Sequence, residues 1–302
     1  MKKQILIIKH GALGDIVQAF DSFYSIRVNF KDYKITLLTS SKFQKFMKLT
    51  NWFDNVIIDN RSGFWNFKEI YRIFKVLNNP WDKIIDLQCS KRTSFYYKFS
   101  NKNSNWYGIA KGCSHPMPNF DGVNNRDRMI IAAKMSGSKI FKAELNWLFN
   151  QKCKIQLPKK YCLFIPSCSP KKKSKRWNET NFIFLAKKLF DMDIIPCLIG
   201  SSDDEIVNNK ILEKSSFCIN LTNKTDFCDI AYLAPNATFI LGNDTGPTFL
   251  AARTNKPTIM LMGKDTDEKM SAPYGDKCFW IKSDNINEIK KEKILKKIKK
   301  II

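Results

Sequence analysis

Short aliphatic and β-branched runs alternate with segments of helical period along the whole chain, and the alternation runs through twice. Parallel strands need long crossover connections and helices fill them, so this pattern reads as βαβ units around parallel sheets. In the first half, strands are expected at 4–9, 34–39, 55–59, 83–88 and 106–109, with helices at 15–29, 42–50, 66–77, 92–99 and 126–135. A polar, lysine-rich stretch at 150–160, containing Pro158, breaks the alternation. The second half restarts it, with strands at 161–166, 195–200, 218–221, 238–242, 258–262 and 278–282 and helices at 179–190, 204–214, 226–233 and 248–253. The expectation is therefore an α/β chain of two doubly wound domains, 1–155 and 156–302. The last segment, 287–302, reads as a lysine-rich amphipathic helix whose Ile289, Ile294, Leu295, Ile298 and Ile301 pack against a domain; a membrane-surface role is the weaker alternative.

Composition narrows the classes. At 302 residues and 44% hydrophobic, the chain can bury a core and falls outside the compositions that stay disordered. No apolar run approaches the roughly 18 residues of a membrane-spanning helix. The start, MKK before an apolar stretch, is followed at once by His10, Gly11 and Asp15, so neither a signal-peptide core nor a cleavage site is read and a cytoplasmic location is expected. Nine cysteines form no C-x-x-C pair, which favours reduced structural thiols over a zinc site. The net charge of +23 favours anionic partners. Abundant Lys, Asn, Ile and Phe also fit the bias of an AT-rich genome, which explains part of that charge with no partner at all.

Folds of this kind bind ligands beyond the carboxyl ends of their strands, and three such loops stand out. The first, HGALGD at 10–15, has Gly11 and Gly14 for a tight turn and Asp15 opening the next helix. Asp15 reads either as a helix N-cap or as a carboxylate presented to a ligand. The second, SCSPKKKSKRW at 167–177, places Lys171, Lys172, Lys173, Lys175 and Arg176 behind Ser167 and Ser169, which suits a diphosphate or simply makes a solvated basic loop. The third, LGNDTGPTFLAA at 241–252, runs a strand into Asp244, Thr245, Gly246 and Pro247. Backbone N–H groups and the Thr245 hydroxyl there can hold phosphate oxygens, while a capped helix with Pro247 in its first turn accounts for the same residues.

Taken in order, KHGALGD (9–15), KRW (175–177) and NDTGPTFLAA (243–252) resemble glycosyltransferase family 9, the heptosyltransferases of lipopolysaccharide core synthesis. IIDLQCSKRTSFYY (84–97) and WYGIAKGCSHP (106–116) are similar to family segments too, so the resemblance covers nearly the whole chain. It implies a GT-B fold, two Rossmann-like domains facing a central cleft, with the acceptor on the first domain and a nucleotide-sugar donor on the second. It also implies an inverting, metal-independent transferase, with Asp15 as catalytic base. Ser167, Ser169, Lys175, Gly200, Asp244, Thr245, Gly246 and Pro247 would bind the donor, and Gly11, Gly14, Arg61 and Arg92 the acceptor. Three positions depart from the family pattern: Ser167 for a glycine, Asn178 for a proline after the tryptophan, and Phe249 for a histidine. The acidic residue that meets the donor nucleoside has no single match among Asp203, Asp204 and Glu205.

The function expected on this basis is transfer of a sugar, heptose from ADP-heptose, onto a lipopolysaccharide core or another surface glycan. No other cofactor and no metal are expected. The expected partners are the nucleotide sugar, an anionic glycolipid or glycan acceptor, and anionic inner-membrane lipid in peripheral contact with a monomer. Lys91, Arg92 and Lys98, with Arg61, would steer that acceptor. Two alternatives remain: a family member that binds donor without catalysis, and a nucleic-acid-binding module using Phe95, Tyr96 and Tyr97 beside Lys91 and Arg92. That second reading leaves both glycine-containing loops unexplained. Trp52, Phe53, Phe64, Trp65 and Phe67 around Arg61 are expected in core and rim, although an exposed cluster there would suit a membrane-bound acceptor. His10 and His115 are expected to be ordinary, satisfied residues.

Overall fold

A computed structural model of the chain describes residues 2–63, 65–150, 153–169, 172–273 and 275–302. The chain divides into two compact units, Met1–Trp147 and Leu148–Ile302, each organised around its own parallel sheet. The division falls within the short helix Asn146–Phe149, whose Leu148 is buried, just ahead of the lysine-rich stretch at 150–160.

In the first unit the strands are β1 (Gln4–Ile8), β2 (Lys34–Thr39), β3 (Asn55–Ile58), β4 (Lys83–Asp86), β5 (Asn105–Gly108) and β6 (His115–Pro116), in the order β3-β2-β1-β4-β5-β6. In the second they are β7 (Tyr161–Ile165), β8 (Ile195–Leu198), β9 (Ile219–Asn220), β10 (Ile240–Asn243), β11 (Thr258–Met262) and β12 (Cys278–Lys282), ordered β12-β11-β10-β7-β8-β9. Both sheets have the doubly wound order in which the chain reverses direction beside its first strand. Central strands of such sheets are covered on both faces and must be apolar throughout. QILII and YCLFI satisfy this, and Ile5 to Ile8 and Cys162 to Ile165 are fully buried.

The reversal point lies between β1 and β4 in one unit and between β7 and β10 in the other, so the loops leaving those strands are where this fold gathers ligands. All three loops singled out above leave β1, β7 or β10. The C-terminal helix, Lys291–Ile301, seals the second unit by burying Ile294 and Ile298 in a cluster with Phe182, Leu185 and Leu189. Its packing role is therefore met.

Candidate functional site

After β1 the chain turns through Gly11 in the left-handed region (φ 62°), and a Cβ there would come within 2.7 Å of Ile16. Only glycine adopts that turn without strain. The turn is pinned from the loop after β4: Gln88 Oε1 accepts the N–H groups of both His10 and Gly11 at 3.0 Å. The following helix starts at Leu13 with Ala12 as its N-cap, so Asp15 is the third helical residue and not the cap itself. Its Oδ2 accepts the Ala12 N–H at 3.0 Å and its Oδ1 accepts Asn125 Nδ2 at 3.0 Å. Asp15 is half-buried, and both partners are neutral. Gly14, directly before it, is buried in the same turn. Lys9 lies behind the loop, its Nζ donating to the Leu87 carbonyl at 3.2 Å. Burial pulls its ammonium below the ordinary lysine value, against the opposing fields of Asp15, Cys89 and Asp86.

Beside this loop His10 Nε2 meets Asp59 Oδ2 at 2.7 Å, and Tyr96 Oη donates to the same oxygen at 2.6 Å. The Arg61 N–H donates to Asp59 Oδ1 at 2.8 Å, with Arg61 itself at φ 56°. Burial alone would raise the Asp59 carboxyl, but the donors from His10, Tyr96 and Arg61 outweigh it and hold the group at about 2. His10 is thus satisfied, as is His115, whose Nδ1 pairs with Ser114 Oγ at 3.0 Å. Of the two arginines, Arg61 is exposed, whereas Arg92 is half-buried with its guanidinium on the Ser62 carbonyl at 3.2 and 3.3 Å. Arg92 also lines a pocket of about 320 Å³ with Lys91, Asp59, Ile70, Phe74 and Phe95. Lys91 and Lys98 are exposed.

In the second unit Ser167 is buried and Ser169 exposed, while Lys171 lies outside the described residues. The loop winds through a short 3₁₀ turn, Lys173–Lys175, that delivers Lys175 Nζ onto Asp244 Oδ2. Thr266 Oγ1 donates to that same oxygen at 2.6 Å. The pair is largely buried, with side-chain exposures of 14% for Lys175 and 6% for Asp244, so each charge depends on the other. Asn243, the last residue of β10, ties the loops together. Its Nδ2 donates to the Pro166 and Ser167 carbonyls at 2.8 and 3.2 Å, and its Oδ1 accepts the Trp177 N–H at 3.3 Å. Thr245, Gly246 and Pro247 are half-buried at the start of the helix Gly246–Ala252, which Thr248 Oγ1 anchors on the Asn243 carbonyl at 2.8 Å.

Gly200 serves a packing need: a Cβ there would meet Asn208 Nδ2 at 2.7 Å and Asp204 Cβ at 2.9 Å. Asp204 is buried and already satisfied, accepting Ser201 N–H and Oγ at 3.0 Å and Arg176 Nη2 at 3.2 Å. Asp203 and Glu205 are exposed. The positions that depart from the family pattern have local roles. Asn178 caps the helix Glu179–Phe190 by accepting the Thr180 N–H at 2.9 Å, and Phe249 fills the core at 6% exposure.

No role for Gln88, Asn125, Asp59, Asn243 or Thr266 could be read from the sequence, although Asn243 lies inside the recognised loop 241–252 and Gln88 inside the segment 84–97. Their partners lie 22 to 110 residues away, too far for any local pattern. The aromatics proposed for nucleic acid are engaged in packing. Tyr96 is buried on Asp59, Phe95 lies edge-on to Phe99 at 5.0 Å, and Tyr97 lies edge-on to Trp106 at 5.4 Å with its hydroxyl on the Gly112 carbonyl. All nine cysteines are free, and burial pushes the Cys197 and Cys218 thiols up to about 12, where they stay protonated. Among the described residues no three His, Cys, Asp or Glu side chains gather as a metal site would need, and no helix is long and apolar enough to cross a membrane.

Two Rossmann-like units with loops of this kind define the GT-B class of fold, and solved structures bear this out. E. coli ADP-heptose LPS heptosyltransferase II superposes with a TM-score of 0.76 at 17% identity, covering 99% of this chain and 98% of that one. E. coli heptosyltransferase WaaC with ADP does so at 0.81 and 16%, covering 99% and 100%. In sequence, the lipooligosaccharide heptosyltransferase 2 of Haemophilus ducreyi is 23% identical over 287 residues, 84% of this chain and 81% of that protein. Its namesake in Haemophilus influenzae is 34% identical over 109 residues, 34% of this chain and only 31% of the relative's length. The model of glycosyltransferase family 9 (heptosyltransferase) matches residues 132–302, more than half of the chain. The chain belongs to that family.

Proposed function

We propose that the protein is an inverting, metal-independent glycosyltransferase that moves heptose from ADP-heptose onto a lipopolysaccharide core or a related anionic surface glycan. The observation that carries the reading is Asp15, a half-buried carboxylate at the reversal point of the first sheet, aimed by Asn125 and, among the described residues, engaged in no ion pair. A carboxylate so placed can take the proton of an acceptor hydroxyl as its oxygen attacks the anomeric carbon from the face opposite the diphosphate. The bond from that carbon to the diphosphate oxygen breaks, and ADP leaves. Negative charge then grows on the departing oxygen. Lys175, with the Thr245 hydroxyl and the N–H groups around Gly246, would take it up, which supplies what a divalent metal does elsewhere.

On this reading the first unit holds the acceptor through the loop at Gly11 and Gly14 and through Arg61 and Arg92. The second holds the donor through Ser167, Ser169, Lys175, Gly200 and the 244–247 loop. Asp244 and Gly200 act by position: Asp244 holds Lys175, and Gly200 lets Asp204 and Asn208 close on the strand end. The test is thermal stabilisation of the purified protein by a panel of nucleoside diphosphates and their sugars, followed by mass analysis of an incubated acceptor. Stabilisation by ADP-heptose above UDP- and GDP-sugars, and a product heavier by one heptose, is expected, with no loss of rate in EDTA. Indifference to every nucleotide sinks the proposal, and inhibition by the chelator sinks its metal-independent part.

A further inference from the structure

We infer that the segment from Trp65 through the helix Phe67–Asn78 is an interfacial docking surface for an anionic lipid bilayer. Trp65 is 83% exposed, Phe67 78% and Tyr71 62%, whereas Trp52, from the same aromatic group in the sequence, is buried. Phe67 and Tyr71 stand one helical turn apart on one face, and Trp65 lies two residues ahead of the helix, so three large aromatics reach solvent within residues 65–71. Burying aromatic area is a main source of stability, and exposed aromatics grouped in this way mark an interaction site.

The chemistry around them selects the partner. Lys68 and Lys75 are exposed on the same helix, and Lys75 Nζ sits 5.1 Å from the centre of the Tyr71 ring. The helix's one acidic residue, Glu69, is bound to Arg72 at 2.6 Å and turned toward the pocket. Aromatic rings bounded by lysines, with no free carboxylate among them, match a bilayer's headgroup level. There rings sit beneath the phosphates and cations pair with them. The inner side of the same helix, through Ile70, Ile73 and Phe74, lines the pocket that also holds Lys91 and Arg92. A surface docked here would bring that pocket to the membrane plane, where a lipid-linked acceptor resides. The inference deepens the acceptor side of the proposed function. It is tested on vesicles that contain no glycolipid, so transfer and docking fail separately.

A second basic surface provides the internal control. In the second unit Lys293, Lys296, Lys297 and Lys300 line a groove with Trp280, which is 45% exposed. The full-length protein is mixed with vesicles of phosphatidylethanolamine and phosphatidylglycerol, sedimented at low salt and at about 0.5 M salt, where long-range attraction is screened. The triple variant Trp65→Ser, Phe67→Ser, Tyr71→Ser keeps the net charge, and its thermal midpoint should stay that of the parent because the three side chains are exposed. Its salt-resistant partition should fall on the order of tenfold. Brominated phosphatidylglycerol should quench the fluorescence of the parent and of Trp280→Phe, but not of Trp65→Phe. Unchanged partition of the triple variant overturns the inference, as does quenching lost in Trp280→Phe and kept in Trp65→Phe. A parent that is dimeric and a triple variant that is monomeric would assign the surface to a second copy, and oligonucleotide binding lost in the variant would assign it to nucleic acid.

Discussion

The two units share one strand order, yet the loops at their reversal points are charged in opposite senses. After β1, the hydrogen bonds to Asp15 come from the neutral Ala12 N–H and Asn125 amide, while Lys9, whose ammonium feels the Asp15 field, donates to the Leu87 carbonyl. After β7 and β10, Lys175 and Asp244 are locked on each other with Thr266 as a third member. On the proposed function, one scaffold would carry a carboxylate to accept a proton and, at the equivalent loop of the second unit, a lysine held by its own carboxylate. If that reading holds, the same fold builds both halves of a transfer reaction because topology fixes where chemistry happens and loop residues fix which chemistry it is.

The sharpest way to break this contrast is Asp15→Asn. It keeps the size and the contact with Ala12 while removing the proposed base, so transfer should fall by roughly 10²–10⁴-fold with donor affinity unchanged. A matched thermal midpoint and normal turnover would return Asp15 to a helix-start residue with no chemical task.

Lys175→Met attacks the other half. It leaves Asp244 buried at 6% exposure with Thr266 alone, and breaking such a pair typically costs about 3 kcal/mol or more. Denaturant midpoints should show that loss, and adding Asp244→Asn should restore most of it. Nucleotide affinity should stay weak in both variants. Stability restored along with affinity would mean that the lysine is structural only.

Most of the scaffold could be read from the sequence, since β2, β11, β12 and the helix Glu179–Phe190 fall where apolar periodicity puts them. What escaped has a physical reason. β6 is two residues, His115–Pro116, without an apolar run, and the helix Glu268–Ser271 buries none of its residues. The helix after β1 begins at Leu13, since Gly14 does not prevent a start once Ala12 supplies the extended cap. The loops of the site were legible because glycine, proline and charge are local signals. Their second partners were not, because Gln88, Asn125 and Asp59 reach the first loop only through the pairing of β1 with β2 and β4 and the packing that follows.

The Asp59 network gives the next effect in size. Its carboxyl sits at about 2 in the folded chain against 3.8 when unperturbed. A depressed carboxyl stabilises fully above its unfolded value and loses that contribution as pH falls through the folded one. About 2 kcal/mol should therefore disappear between roughly pH 4 and pH 2. Asp59→Asn should flatten that part of the acid-stability curve, and a curve of unchanged slope would show that His10 and Tyr96 do not hold the charge.

The smallest effect concerns the cations of the first unit. Arg61 is exposed and Arg92 is fixed on the Ser62 carbonyl at the mouth of a pocket. If both meet an anionic acceptor, its affinity should fall with ionic strength more steeply than donor affinity does, because exposed charges are screened and the buried Lys175 pair is not. The double variant Arg61→Gln, Arg92→Gln should then flatten the acceptor's salt dependence and leave the donor's alone. Fold is preserved at Arg61 because its contact to Asp59 is made by the backbone N–H, which glutamine keeps. Compositional lysine bias, the rival account of the +23 charge, predicts equal slopes before and after substitution, since the remaining cations would attract the acceptor from every side. Parallel titrations of donor and acceptor at three salt concentrations decide between a directed surface and an indiscriminate one.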